Sequence, residues 1–239
     1  MTEAELERIR SAYRARDADS GTPYRWDNPG YVAHVQSVER AVLGALGQSR
    51  VSLAGARVLD VGCGSGYFLH RLHEYGAGEC HGIDLMENRI AEGRVRYPTL
   101  KLRVGSATAL PYADGEFDVV TQFTCLSSIL DAEVRLAVAR EMRRVAAGGW
   151  VLSFDMRGLW LRRLARPRAS AVDATKTVAL DRSELIRLFG DPAVLRRETL
   201  TFGLAELTGR RPLIGMALGT LPLLRSHLVG LWRVPQSER

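Results

Sequence analysis

The sequence predicts an α/β fold, a mostly parallel sheet with helices on both faces. Three observations carry that expectation. Strand-like apolar runs alternate with helix-period segments over about residues 56–155. A glycine-rich turn closes the first of those runs. The composition, 46% apolar and 25% charged, is that of an ordinary globular chain, and 239 residues are enough to bury a core without disulfide or metal staples.

The elements come in order along the chain. Residues 1–30 are polar and Arg-rich, an initial helix followed by the turn-rich GTPYRWDNPG. Val35, Val38, Val42 and Leu46 then recur at helical spacing. ARVLDV (56–61) is a first strand and Tyr67 to Tyr75 a helix. ECHGIDL (79–85) is a second strand, Glu87 to Arg96 a helix, and LKLRVGS (100–106) a third strand. EFDVVTQF (116–123) is a fourth, and a helix from about Asp131 is stopped by Gly148 and Gly149. WVLSFD (150–155) is a fifth strand, Thr199 to Phe202 a candidate sixth and Leu228 to Val234 a candidate seventh. The division expected is an N-terminal helical cap over 1–50 and one domain over 51–239, with 203–226 as a candidate lid. Ligands of such sheets sit at the carboxyl ends of the strands, near the point where strand order reverses.

Charge and cysteines bound the function. Three cysteines, Cys63, Cys80 and Cys125, are too few and scattered for a disulfide framework. The N-terminus MTEAELERIR is charged, without the apolar core of a secretory signal, so the expected location is cytoplasmic. The apolar stretch Pro212 to Leu224 has 13 residues, against about 20 needed to span a bilayer. Residues 1–150 carry 18 basic and 19 acidic side chains, residues 151–239 carry 15 and 8, so the basic character belongs to the C-terminal third. Such a basic face suits nucleic acid, anionic lipid or an acidic small substrate.

The chemistry starts at VLDVGCGSGYF (58–68), a strand ending at Asp60 and a turn with Gly62, Gly64 and Gly66 opening a helix. Glycines let backbone approach a ligand closely and adopt positive φ without a Cβ penalty. The spacing is G-x-G-x-G, with Tyr67 where a dinucleotide fingerprint has its third glycine. Asp84 ends the second strand, 22 residues beyond Gly62, where a carboxylate accepts hydrogen bonds from ribose hydroxyls.

VLDVGCGSG, HGIDL, VGSATALPYADGEFDVV and EMRRVAAGGWVLSFD, in that order over about residues 55–155, resemble the class I S-adenosylmethionine-dependent methyltransferases. The resemblance implies their Rossmann-like seven-stranded sheet with an antiparallel last strand, and S-adenosyl-L-methionine as cofactor. It implies that Asp60 and the backbone of Gly62, Cys63, Gly64 and Gly66 hold the methionine end, and that Asp84 binds the ribose. Leu85 and Met86 would pack near the adenine. Many members have Gly-Asp-Ala where this chain has Gly105-Ser106-Ala107, so Ser106 or the backbone would take over the adenine contact. Gln122, next to last in the fourth strand, joins the expected cofactor set.

The acceptor side is read from the segment after the fourth strand. Thr121-Gln122-Phe123-Thr124 lacks the Asn/Asp-Pro-Pro-aromatic motif of base-amino methyltransferases, which leaves small-molecule acceptors as the main class. Tyr24-Arg25-Trp26, QFTCLSSILD, SFDMR and LRSHLVGLW resemble a bacterial subgroup associated with polysaccharide and natural-product genes. That implies a hydroxyl of a sugar or glycosylated metabolite, with Tyr24, Arg25, Trp26 and Arg157 toward the substrate. Arg157, Arg162, Arg163, Arg166 and Arg168 suggest an anionic acceptor, such as a phosphorylated or nucleotide-linked sugar. Nucleic acid is the less favoured partner, since no RNA-binding module is recognisable and the arginines mingle with Leu and Trp in GLWLRRLARPR.

A hydroxyl acceptor calls for a base. His227 is placed before the last strand, at the active edge; Asp155 ends the fifth strand and His34 lies on the helix leading into the core. His70 and His73, one turn apart, lack a metal-ligand pattern, so no metal is expected. Ser127, Ser128 and Asp131 read as a helix cap, and Cys63 and Cys125 as small buried fillers. Two other functions stay open, an RNA methyltransferase using the basic third and a non-catalytic scaffold of the same fold.

Overall fold

A computed structural model describes residues 3–18, 26–157, 177–200, 221 and 225–236. In chain order the elements are α1 (Glu3–Ala18), α2 (Pro29–Gln48), β1 (Val58–Val61), α3 (Tyr67–Glu74), β2 (Cys80–Asp84), α4 (Glu87–Arg96), β3 (Lys101–Val104) and β4 (Val119–Phe123). A 3₁₀ turn (Leu126–Ser128), α5 (Ala132–Val145), β5 (Trp150–Met156), α6 (Arg182–Phe189), β6 (Val194–Leu200) and β7 (Arg225–Arg233) complete the order. One seven-stranded sheet runs β3-β2-β1-β4-β5-β7-β6. Strands β1 to β5 pair in parallel, and β7 is antiparallel to both neighbours, β5 and β6. The order reverses between β1 and β4, as a doubly wound sheet requires.

Strands covered on both faces are buried along their length, and the central β1 and β4 are mostly apolar, with Asp60, Thr121 and Gln122 the polar exceptions. Every residue of β1 and β4 is buried. On one face Leu59, Val120 and Val151 pack against α5 and α6, with Val138, Met142, Leu185 and Leu188 buried there. On the other, Val58, Leu152, Val229 and Leu231 meet α2 and α3 through Val38, Val42, Leu69 and Leu72. Helix α2, expected within an N-terminal cap, is thus a member of the helical layer, and α1 reaches the loop after β4 at the carboxyl edge of the sheet.

The last two strands begin earlier than expected. β6 occupies Val194–Leu200 rather than 199–202, and β7 starts at Arg225, so His227 lies inside the strand instead of before it. Helix α6 has a local signature: the Asp181 side chain accepts the backbone N–H of Glu184 at 2.9 Å, an N-cap directly after an extended stretch. The candidate lid 203–226 falls almost wholly outside the described residues, as do Tyr24, Arg25 and Arg162 to Arg168. Among the described residues no helix is long and apolar enough to cross a membrane.

Candidate cofactor and acceptor site

The turn after β1 is held from two sides. The backbone N–H groups of Gly62 and Cys63 donate to the Ile83 carbonyl at 2.8 and 3.1 Å, docking the turn on β2. Asp84 locks it further: one carboxylate oxygen accepts the Gly64 N–H and the other the Met86 N–H, both at 2.8 Å. Gly62 has φ +74°, and a Cβ there would stand 2.6 Å from Cys125 Sγ, so the close approach of the β4 loop requires glycine. Gly66 caps α3 with φ +88°, its α-carbon packed toward Leu100 and Leu102.

A cavity of about 320 Å³ opens over this turn at the carboxyl edge. Asp60, Gly62, Cys63, Gly64, Asp84, Leu85, Met86 and Ala107 border it. Ser106, Gly66 and Gln122 do not. The Ser106 hydroxyl turns to Thr108, hydrogen-bonding its hydroxyl at 2.9 Å, while Gly105 and Ala107 face the cavity. Asp60 is buried with one partner, the Thr121 hydroxyl donating at 2.8 Å, and burial pushes its carboxyl up to about 8.

The other end of the cavity is built by α2, the loop after β4, and the ends of β5 and β7. Tyr31, His34, Val35 and Val38 lie on one face of α2 and all border the cavity. His227 meets His34 there, ring centroids 5.3 Å apart, and stacks on Phe154 at 4.8 Å and 15°. Ser226 Oγ and His227 Nδ1 are 2.8 Å apart. Burial pushes the His34 imidazole down to about 4, so it is neutral at physiological pH.

Asp155 is not on this wall. Side chains alternate along β5, so Phe154 and Met156 face the cavity and Asp155 points through the sheet to the opposite face. It is wholly buried, accepting the Ser127 N–H and Gln122 amide at 3.1 Å and the Met156 N–H at 2.8 Å. Gln122 is its partner in this support: the side-chain Oε1 of Gln122 accepts the Cys125 and Leu126 N–H groups. Together they shape the β4 loop, where Thr124 adopts φ +57°. The expected cap function of Asp131 is present, its carboxylate accepting the Glu133 and Val134 N–H groups, whereas Ser127 and Ser128 belong to the cavity wall.

The structure places the two described substrate candidates elsewhere. Trp26 packs on Tyr31 and Tyr67 without reaching the cavity. Arg157 donates to the Arg225 carbonyl and borders a separate surface hollow with Arg182 and Arg197. Its main chain continues β5 beyond Met156, where it is tied to Ser226 of β7. The remaining histidines are spoken for: His70 pairs with Glu74 and stacks on Tyr97, His73 meets the Ala77 carbonyl, and His81 meets Glu79. Among the described residues no cluster could hold a metal ion.

Helix α1 supplies cavity residues beyond those expected from the sequence, Ile9, Tyr13 and Arg16. It is pinned by Glu5 accepting the Leu130 N–H at 2.8 Å, by Tyr13 and Ser128 hydroxyls 2.7 Å apart, and by an Asp17–Arg89 ion pair. Ile9 and Tyr13 stand one turn apart as large apolar residues of a helix rich in charge, and that spacing is the signal that marks this face.

Comparison with known proteins agrees with this architecture. Residues 58–149 match the family described as a methyltransferase domain. The demethylmenaquinone methyltransferase of Beutenbergia cavernae is 33% identical over 147 residues, 56% of this chain and 58% of that protein. The geranyl diphosphate C-methyltransferase of Streptomyces coelicolor, solved with S-adenosyl-L-homocysteine, superimposes with a TM-score of 0.64 at 16% identity, over 96% of this chain and 98% of that one.

The matched stretch, residues 58–149, is a methyltransferase domain, and it resembles that of the class I S-adenosylmethionine-dependent methyltransferases. A second relative, the norajmaline N-methyltransferase of Rauvolfia serpentina, is 38% identical over 112 residues, 43% of this chain and 37% of that protein. The chain thus matches roughly a third to three-fifths of the length of these curated relatives. The cofactor of this methyltransferase family is S-adenosylmethionine, and the donor set suits it. Asp84 spends one lone pair per oxygen on the backbone, leaving acceptor capacity toward the cavity for ribose hydroxyls. Asp60 is a buried carboxyl that a ligand ammonium would match.

Proposed function

We propose that this methyltransferase moves a methyl group from S-adenosylmethionine to a hydroxyl of a small-molecule acceptor. The observation that carries the reading is one cavity bordered at one end by the glycine turn and Asp84, and at the other by His34 and His227. When bound, the cofactor supplies an electrophilic methyl on a sulfonium, which the acceptor oxygen takes as the carbon–sulfur bond breaks.

The residues divide the work by position. Asp84 holds the ribose, Asp60 and the backbone of Gly62 to Gly64 hold the methionine end, and Leu85, Met86 and Ala107 flank the adenine. His227 takes the hydroxyl proton, with Phe154 and Ser226 fixing its ring. His34, neutral through burial, adds a polar edge beside it. Helix α1 covers the opening and limits water. Holding acceptor and cofactor in line is the larger part of such catalysis.

The test is formation of S-adenosylhomocysteine by the full chain with S-adenosylmethionine and a panel of hydroxylated small molecules, compared with His227→Ala. Acceptor-dependent product that falls in the variant supports the reading. Product formation only with RNA would replace it with the nucleic-acid alternative.

A further inference from the structure

Helix α1 is tied down at both ends and bears on the cavity between them. Near its start the Glu5 carboxylate accepts the Leu130 N–H at 2.8 Å, and Arg8, paired with Glu5, donates to the Ser128 carbonyl at 2.6 Å. Both partners lie in the loop after β4. Near its end the Asp17 carboxylate accepts Arg89 Nε at 3.1 Å and a second nitrogen of the same guanidinium. Asn88, beside Arg89 in the first turn of α4, donates to Asp17 at 3.3 Å. Between these anchors Ile9, Tyr13 and Arg16 border the cavity. The helix runs as a strap from the acceptor-side loop to the cofactor-side helix.

Arg89 stands at the junction of strap and cofactor turn. Its guanidinium lies 4.7 Å from the centre of the Tyr13 ring, and that of Arg16 lies 4.6 Å from the same ring. A Cβ on Gly64 would stand 3.9 Å from an Arg89 nitrogen, and Gly64 is the residue whose N–H Asp84 accepts. One side chain thus touches α1 through Asp17 and Tyr13 and reaches the turn that Asp84 locks. The Arg89 side chain is 16% exposed and that of Asp17 30%, so salt screens the pair less than an open surface pair. The attachment of α1 is largely polar: of its described side chains Glu5 and Ile9 are buried, whereas α2 buries Val35, Val38, Val42 and Leu46. Elements with few buried apolar contacts open at a lower free energy than the core.

We propose that Arg89 is a positioning residue that latches α1 across the bound cofactor, and that its pair with Asp17 opens before the spent cofactor leaves. This role rests on the methyltransferase reading above and adds to it the step that governs cofactor exchange. With the pair closed, Ile9 and Tyr13 stay over the cavity. With it open, α1 keeps its hold on the loop after β4 through Glu5 and Arg8 and uncovers the α4 side first. Opening of such a cover commonly limits product release.

The experiment follows radiolabelled S-adenosylhomocysteine leaving the full chain in a chase with the unlabelled compound. Asp17 does not border the cavity, so Asp17→Asn acts on the latch without touching the ligand. Asp17→Asn and Arg89→Gln should each speed release about tenfold, and the double variant should be no faster than the faster single, because both break one contact. Arg89→Lys, which keeps the charge and loses the planar fork, should fall between wild type and Arg89→Gln. A merely structural brace would instead lower the melting temperature of the ligand-free chain and leave release unchanged. Unchanged release from Asp17→Asn, or effects that multiply in the double variant, overturns the latch and leaves the methyltransferase reading standing. A wild-type chain that does not take S-adenosylhomocysteine overturns that reading itself.

Discussion

His34 and His227 meet ring to ring with centroids 5.3 Å apart, although α2 and β7 lie at opposite ends of the chain. The antiparallel insertion of β7 between β5 and β6 brings this about. It sets His227 opposite Met156 at the carboxyl edge, on the sheet face that α2 covers. Proximity of the pair is therefore a property of topology, and the proton-acceptor role proposed for His227 follows from the cavity it faces.

His227→Ala should depress kcat by about 10²–10⁴-fold, the usual worth of a positioned base. Cofactor affinity should hold, because the glycine turn and Asp84 lie on other strands. Steady-state kinetics beside a cofactor titration separates the two. Near-normal turnover would remove His227 from the chemistry.

Asp60 makes the protein pH-sensitive. Its carboxyl is pushed from 3.8 up to about 8 by burial, with the nearby Asp84 adding to the effect. The folded chain holds a proton there that the unfolded chain releases, so this contribution to stability is lost as pH rises from about 4 through 8. An ammonium-bearing cofactor favours the carboxylate instead, so binding should strengthen over that window and release a proton near pH 7. Calorimetry in two buffers of different ionisation enthalpy counts the proton. Asp60→Asn should abolish the release, weaken binding and raise the melting temperature of the ligand-free protein at pH 8. No proton release by the wild type would contradict the assignment.

Asp155 should matter through the loop it supports. Asp155→Ala leaves the Ser127 and Met156 N–H groups without their acceptor, at about 1–3 kcal/mol for each buried group. Melting temperature should fall by roughly 2–4 °C per kcal/mol for a chain of this size. Turnover should fall with it, while the pH profile of kcat keeps its shape because Asp155 does not border the cavity. A lost pH limb in the variant would return Asp155 to the role of base.

The parts legible in the sequence are those whose signal is local. The glycine turn, Asp84 after the second strand and the helix pattern of Val35, Val38, Val42 and Leu46 each declare themselves within a few residues. Asp155 misleads because its adjacency to the strand end is plain while the direction of its side chain is not; Phe154 and Met156 on the cavity face direct the residue between them away. Ser106 misleads in a similar manner, its hydroxyl being taken by Thr108 two residues on. The β7 start at Arg225 is hidden because the ladder partners of its first residues, Leu200 opposite Arg225 and Met156 and Glu198 opposite His227, are distant in sequence. The cavity face of α1 rests on two apolar residues, Ile9 and Tyr13, in a helix otherwise dominated by charge.

Asp84 is the proposed anchor of the cofactor end, and titration calorimetry of S-adenosylmethionine on the wild type and on Asp84→Ala tests that role most directly. The carboxylate ties the Gly64 and Met86 N–H groups and keeps acceptor capacity toward the cavity, and charge-assisted hydrogen bonds are worth about 1.5–3 kcal/mol each. The wild type should bind one equivalent saturably, and the variant should bind at least about tenfold more weakly while remaining folded by circular dichroism. Equal affinity in the two proteins, or no binding by the wild type, would contradict the assignment of this site.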